Sequence, residues 1–387
     1  MFFNPAYYPM SNKRIKILHV ITSLDVGGAE MALFHLLKIM EAGRFENQVV
    51  SLIHPGKVGE KIQALGVPVF SLEMRPGHPE IGSFFKLVEL LRRESPDMVQ
   101  TWLYHADLLG LLAARTVGVP VLWNIRASNM DMSHYRRLSS WVLRACIRLS
   151  GWPQAVIVNS RAGQAFHEQL GYHPRRWVYI PNGIDTDQFR PNLSARTALR
   201  NELGLALDAL LIGLIARFDP MKDHQNFLQA SSVLAANMPG IHFVLAGNKV
   251  DPSNPFFGKY LEKDELRGRL HLLGQRDDMP ELMAALDIVS SSSYGEGFPN
   301  SIAEAMSCGT PCVVTDTGDS AYLVEKTGIV VAPKDPQALA EGLQKMISLG
   351  LESRKALGAA ARQRIQQNFQ QKEVARQYEE LYDSLMH

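Results

Sequence analysis

Cysteine is scarce in this chain: Cys146, Cys308 and Cys312 are the three present in 387 residues. Three cannot complete a disulfide set, and none has a second Cys or a His at metal-ligand spacing. Cys308 and Cys312 flank Gly309 and Pro311, so a turn separates them. Free cysteines of this kind behave as small buried hydrophobes, and a reducing compartment is expected. Long apolar runs are missing as well, none approaching the ~18 residues that span a bilayer. The opening MFFNPAYYPMSNKR has its charges after its apolar residues and carries two prolines. That order is wrong for a secretory signal, so residues 1–13 read as a loose arm and the protein as cytoplasmic, soluble or peripheral to a membrane. A Gly-x-Gly-x-x-Gly fingerprint is absent, which argues against a nicotinamide dehydrogenase. No Asp-x-Asp motif stands where a metal–diphosphate site would need it. Net charge is nearly absent too: 40 basic against 39 acidic residues leave +1, so a bulk polyanion such as nucleic acid is not an expected partner.

What is present is core material. With 46% hydrophobic and 20% charged residues, disorder and low-complexity arrays are excluded. The length suggests two or three domains at about 150 residues each. Ile15–Ile21 is a short apolar run ending in a Gly-rich turn, after which Ala32, Leu33, Leu36, Leu37 and Met40 share a helical face. Strand patterns recur over 48–53, 67–72, 98–102, 119–124 and 155–159, with helices over 84–92, 108–117 and 161–170. A Pro-Asn-Gly-Ile-Asp cluster at Pro181–Asp185 and a polar stretch to about Ser194 read as a linker. The alternation then restarts, with strands over 209–215, 242–246, 271–273, 287–291 and 311–315. Helices are expected over 224–236, 279–285 and 300–307, then over 336–348, 354–367 and 372–386. Such alternation predicts α/β units with parallel sheets covered on both faces, and two units facing each other enclose a cleft.

Four segments carry chemistry. Gly27-Gly28-Ala29-Glu30 follows the first strand; two glycines at a helix start either cradle an anion or make a plain tight turn. Arg217 and Lys222 share one strand-to-helix loop, suited to a diphosphate or simply solvated. The most informative segment runs from Ser291 to Pro311. Pro299 suits the first helical position and Gly309 ends the helix. Glu296 lies on the preceding loop beside the amides of Gly297 and Phe298. Glu304 lies one and a half turns inside the helix. Both carboxylates suit sugar or ribose hydroxyls, and an exposed helix carboxylate is the alternative for Glu304. The fourth is Thr101–Asp107, where His105 follows a strand as either a cleft catalyst or a structural hydrogen-bonder.

Together, the GGAE turn, the PNGID linker, the Arg217/Lys222 loop and Glu-x7-Glu within EGFPNSIAEAMSCGTP resemble the family 4 retaining glycosyltransferases of the GT-B fold. The likeness runs from about Lys16 to the C-terminus. TWLYHADLLG and WNIRAS are similar to a branch found in bacterial surface-polysaccharide clusters, of lipopolysaccharide or exopolysaccharide type. The resemblance implies two Rossmann-like domains, at 14–187 on the acceptor side and 188–367 on the nucleotide-sugar side, with a final helix over 368–387 crossing back to the first. It implies a hexosyltransferase using a UDP- or GDP-sugar and a glycan or lipid-linked acceptor. Arg217 and Lys222 would neutralise the diphosphate and Glu304 would bind the ribose. Glu296 with Gly297, Phe298 and Pro299 would orient the sugar, which His105 would contact from the other domain. Gly27 and Gly28 would line the acceptor and phosphate side, and 273–276, ending in Arg276, would frame the base. No cofactor and no metal are expected, and same-face substitution is favoured over a carboxylate nucleophile, which would need a partner acid about 5 Å away. One departure stands out: the family's glycines flanking the Arg and Lys are here Ala216 and Asp223, which sets a carboxylate beside Lys222. A sugar-nucleotide epimerase of the same fold and a non-catalytic sugar-nucleotide binder are the competing readings.

The near-zero net charge hides a split. Residues 1–190 hold 21 basic and 15 acidic residues (+6), and 191–387 hold 19 and 24 (−5). Residues 126–176 hold eight arginines against Asp131 and Glu168, which again gives +6. Within them, 135–152 interleaves Arg with Leu138, Trp141, Val142, Leu143 and Ile147. A basic amphipathic helix of this kind either lies on anionic lipid of the inner leaflet or has ordinary solvated arginines.

Overall fold

Strands buried on both faces need apolar side chains at nearly every position, and the short runs of this sequence form such strands. The computed structural model describes residues 14–25, 27–75, 80–126 and 137–386. The first sheet contains β1 (Ile15–Ile21), β2 (Phe45–Ser51), β3 (Val69–Ser71), β4 (Met98–Trp102), β5 (Val121–Ile125), β6 (Ala155–Val158) and β7 (Trp177–Tyr179). Its order is β3-β2-β1-β4-β5-β6-β7, parallel throughout, with Ile17 opposite Asn47 on one side and Met98 on the other. The second sheet contains β8 (Leu210–Ile215), β9 (Ile241–Ala246), β10 (Leu270–Leu272), β11 (Ile288–Ser291), β12 (Cys312–Thr315) and β13 (Gly328–Val331). Its order is β10-β9-β8-β11-β12-β13, again parallel. Apolar clusters cover both faces of each sheet.

The strand order reverses between β1 and β4 and between β8 and β11. Crevices open at such switch points beyond the strands' carboxyl ends. The loops after these four strands are the ones that carry Gly27–Gly28, His105, Arg217–Lys222 and Glu296.

The chain crosses between domains twice, and the crossings touch. Ile184 N donates to Phe369 O at 2.8 Å, and Gln371 N donates to Ile184 O at 3.0 Å. Gly183 is needed there, since a Cβ on it would lie 2.8 Å from Gln371 Cα. The final helix, Gln371–Met386, packs on the first domain through Val374, Tyr378, Leu381 and Tyr382. It is anchored by Tyr382 Oη to Gln100 Oε1 at 2.6 Å and by Arg44 to Asp383 at 2.5 Å.

Several elements differ from the sequence expectation. Strands β7 and β13 and the helices Gly56–Ala64, Leu193–Glu202, Pro255–Leu261 and Ser320–Val324 were not anticipated. The helix expected over 108–117 begins earlier, at Tyr104. The amphipathic segment forms the helix Arg137–Leu149; residues 127–136, including Tyr135, Arg136 and Asp131, lie outside the described residues, as does the arm at 1–13. All three cysteines are free and buried.

Candidate functional site

In the second domain, Asp219 organises the loop after β8. Its carboxylate accepts from Met221 N at 2.9 Å, capping the short 3₁₀ turn Pro220–Lys222. It also holds Arg217, with Nη2 at 3.0 Å and Nε at 3.2 Å. Desolvation pushes the Asp219 carboxyl up, but the amide and the guanidinium outweigh it and hold the group below its ordinary range. Asp223 adopts φ +46°, a left-handed conformation that explains why glycine suits this position in the family. Its carboxylate caps the helix His224–Asn237 by accepting from Asn226 N at 3.1 Å. Lys222 instead reaches across to the next loop, where Nζ lies 2.5 Å from Glu296 Oε1. Ser293 Oγ donates to the same oxygen at 2.7 Å, and Tyr294 N donates to Met221 O at 3.0 Å, clamping the two loops together.

The Glu296–Pro299 loop is supported from below. Gly318, at φ +56°, lies so close that a Cβ would come within 2.4 Å of Glu296 O. Asp319 N donates to Gly297 O at 2.9 Å. The Asp319 carboxylate turns to the first domain, accepting from Arg161 N at 2.9 Å and Ala162 N at 3.0 Å, the opening amides of the helix Arg161–Gln169. Pro299 stands at the N-cap rather than at the first helical position, and the helix Asn300–Ser307 follows, closed by Gly309 at φ +75°. Glu304 is half-buried on this helix, with one face on the cleft. Desolvation pushes its carboxyl up to about 8, so it is not the exposed helix carboxylate of the alternative reading.

In the first domain, Gly27 is the extended N-cap of the helix Gly28–Ile39. A Cβ on it would lie 2.3 Å from Glu30 Oε2. The buried Glu30 side chain folds back over this helix start; burial pushes its carboxyl up, against the pull of the Glu30 and Ala29 amides, so the chain itself occupies the place an anion would take. His105 sits in the first turn of the helix Tyr104–Val117, just past a positive-φ Leu103 (+73°). Desolvation pulls its imidazole below the ordinary value.

A cavity of about 680 Å³ opens between the domains, and its walls include Gly27, Gly28, Arg276 and Glu304. Arg217, Lys222, Glu296, Gly297, Phe298, Pro299 and His105 are not among its lining residues. Arg276 is held by Glu202 at 2.5 Å and Asp278 at 2.6 Å. The walls also carry residues that motif reasoning passed over: Arg126 just after β5, Asn182 in the linker and Asn300 at the helix start. Each lay inside a quoted motif, and a strand end or helix start was the available signal. Among the described residues, no three His, Cys, Asp or Glu side chains cluster as a metal site would require.

Two parallel sheets meeting across such a cleft, with a Glu-bearing helix on one wall and the clamped Arg217–Lys222 loop outside the cavity lining, have the architecture of a glycosyltransferase of the GT-B class. A crystal structure of Anabaena Alr3699/HepE in complex with UDP shares this fold with a TM-score of 0.84 at 25% identity, covering 96% of this chain and 100% of that one. Residues 26–188 match Glycosyltransferase Family 4 and residues 195–364 match Glycosyl transferases group 1; the chain belongs to glycosyltransferase family 4. An Escherichia coli UDP-Gal:alpha-D-GlcNAc-diphosphoundecaprenol alpha-1,3-galactosyltransferase is 25% identical over 81% of this chain and 83% of its own length. A Campylobacter jejuni N,N'-diacetylbacillosaminyl-diphospho-undecaprenol alpha-1,3-N-acetylgalactosaminyltransferase is 24% identical over 94% and 98% respectively.

Proposed function

We propose that this glycosyltransferase moves a hexose from a UDP- or GDP-sugar to a lipid-linked or glycan acceptor in bacterial polysaccharide synthesis, with retention at the anomeric carbon. The carrying observation is the interdomain cavity, walled by the Gly27–Gly28 turn on one side and by Glu304 and Arg276 on the other. Likeness over four fifths or more of each chain to enzymes whose names specify diphosphoundecaprenol-linked acceptors supports the acceptor class. UDP in the HepE structure supports the donor class.

In this reading Arg217 and Lys222 leave Asp219 and Glu296 to neutralise the diphosphate, and Glu296 turns to the sugar hydroxyls. The departing phosphate takes the acceptor hydroxyl's proton, so catalysis rests on positioning and charge stabilisation, without a metal. A thermal-shift screen over UDP-, GDP- and ADP-sugars tests the donor, since a ligand specific to the folded state raises Tm. Labelled sugar nucleotides with and without polyprenyl-diphosphate sugars then test transfer. Label that reaches the lipid only when acceptor is present supports the reading. An epimerase would interconvert the donor alone, and a binder would do neither.

The first domain also has a face suited to an anionic membrane at the inner leaflet. On the helix Arg137–Leu149, Leu143 and Cys146 are buried, while Trp141 (67% exposed), Arg144 and Arg148 face solvent. Beside this helix, Arg115 stacks 4.2 Å over the half-exposed Trp152. Aromatic rings among arginines fit the interfacial layer. Among the described residues no helix is long and apolar enough to cross a membrane. Flotation with anionic but not neutral liposomes, lost in Trp141→Ser/Arg144→Ser, is the expected result; equal flotation with both lipids refutes it.

A further inference from the structure

The groups that sequence reasoning assigned to the diphosphate are each engaged with a carboxylate of the chain: Arg217 with Asp219, Lys222 with Glu296, and the Gly27–Gly28 helix start with Glu30. Arg126 differs. It stands just past the carboxyl end of β5, on the cavity wall shared with Gly27 and Glu304. Its hydrogen bonds run to neutral groups, from Nη2 to Asn182 Oδ1 and from Nη1 to the Tyr378 hydroxyl at 3.5 Å. Its guanidinium lies 5.5 Å from the Trp102 ring centroid. Glu30 attracts it through space, but among the described residues no carboxylate reaches it at ion-pair distance.

A desolvated cation without a counter-ion is costly unless a ligand supplies one. Arginine presents five N–H donors, no acceptor and a permanent charge, so it is no proton shuttle; it suits bidentate contact with phosphate. Its placement is also fixed from both domains. Asn182, which accepts from Arg126, donates through Nδ2 to Asn300 Oδ1 at 2.7 Å, at the start of the helix bearing Glu304. Asn159 Nδ2 supports the same Asn182 oxygen at 3.2 Å. The guanidinium is therefore registered against the donor-side helix through the linker.

We propose that Arg126 is the first domain's contact to the leaving diphosphate of the donor, an inference that rests on the nucleotide-sugar reading above. As the bond from the anomeric carbon to the phosphate oxygen breaks, its electron pair stays on that oxygen. The acceptor oxygen forms the new bond, and its proton passes to the departing phosphate. Arg126 stabilises the negative charge that accumulates on the diphosphate, and Asn182 is its positioning residue.

The test compares wild type with Arg126→Ala, Arg126→Lys and Asn182→Ala, each checked for native Tm. Binding of UDP and GDP is measured against uridine and guanosine, which lack the diphosphate. Expected for Arg126→Ala is a loss on the order of 100-fold in donor kcat/KM. Binding of the nucleoside diphosphate weakens about tenfold, as expected for one charge-assisted contact, while nucleoside binding is unchanged and added guanidinium restores part of the rate. Arg126→Lys, which keeps the charge without the fork, falls between. Asn182→Ala keeps the cation and lowers kcat more than it raises KM. If natively folded Arg126→Ala keeps wild-type donor kcat/KM, or weakens nucleoside and nucleoside diphosphate equally, the proposal is overturned. Wild type that binds neither UDP nor GDP overturns the underlying nucleotide-sugar reading instead.

Discussion

If Glu304 contacts the ribose of a nucleotide-sugar donor, its raised carboxyl should make donor affinity depend on pH in a range where the donor's diphosphate diester is fully ionised. Burial holds the carboxyl up to about 8 in the folded protein. At pH 7 only about one molecule in eleven then carries the carboxylate, against about half at pH 8. If ribose hydroxyls donate to that carboxylate, binding draws the ionised form and releases a proton. Affinity should rise about fivefold from pH 7 to pH 8 and about tenfold from pH 7 to a plateau above pH 9. The same shift acts on stability with the opposite sense. Between the ordinary carboxyl range and pH 8 the folded state binds more proton than the unfolded chain, so this group's contribution falls as pH rises and is least favourable above pH 8. Neighbouring groups do not mimic the effect. The imidazoles of His35, His105 and His224 are lowered by burial, that of His224 to about 4, and the Cys308 thiol beside Glu304 is pushed up to about 12. The assay is calorimetric titration of a UDP-sugar, whose diphosphate diester has no terminal phosphate to titrate, from pH 7 to 9 in buffers of different ionisation heat. Wild type should release close to one proton at pH 7. Glu304→Gln should bind with a flat pH profile and no linked proton, and should be more stable than wild type above pH 8. A flat wild-type profile, or an unchanged slope in Glu304→Gln, would refute the assignment of Glu304 to the ribose.

Lys222→Ala should abolish sugar transfer and cost about 1–2 kcal/mol in thermal unfolding, because it strips the cation from the largely buried Glu296; adding Glu296→Gln should restore Tm without restoring turnover. Asp319→Ala should cost about 1 kcal/mol by uncapping a helix, and amide exchange at Arg161 and Ala162 should speed up, since their acceptor is in the other domain. Turnover should be undiminished in excess EDTA, and loss of activity restored by a divalent ion would refute the metal-free mechanism.

What could be read from the chain and what could not divide along a physical line. β4, at Met98–Trp102, matches the expected strand, and β8 and β11 match within a residue, because a central parallel strand must be apolar on both faces. β7 and β13 are short edge strands with no fully buried position, so their pattern is weak, although the edge strands β3 and β10 are expected at 67–72 and 271–273. The helix Leu193–Glu202 is polar enough to pass for linker; its order comes from tertiary contact, with the fully buried Arg200 bonded to Asp287 at 2.7 Å and to the carbonyls of Ala209 and Ala285. The same line runs through the site. Spacing placed Arg217, Lys222, Glu296 and Glu304 on loops and a helix at strand ends, where the fold has them. Spacing could not say that Lys222 spans to Glu296, that Glu30 folds back over Gly27, or that Asn182 bridges Arg126 to Asn300, since each is a contact made only after folding. These contacts alter what the site does without ligand. On the proposed reading, an incoming diphosphate would not meet bare cations at Arg217 and Lys222; it would have to displace two carboxylates, so part of its attraction would be offset by the pairs it breaks. Such exchange favours a ligand that satisfies both sides at once, with phosphate oxygens for the cations and sugar hydroxyls for Glu296. A free nucleoside diphosphate leaves the second half unmet. On this argument the sugar contributes to donor affinity through Glu296, and the departing nucleotide is released more readily once the carboxylate can return to Lys222.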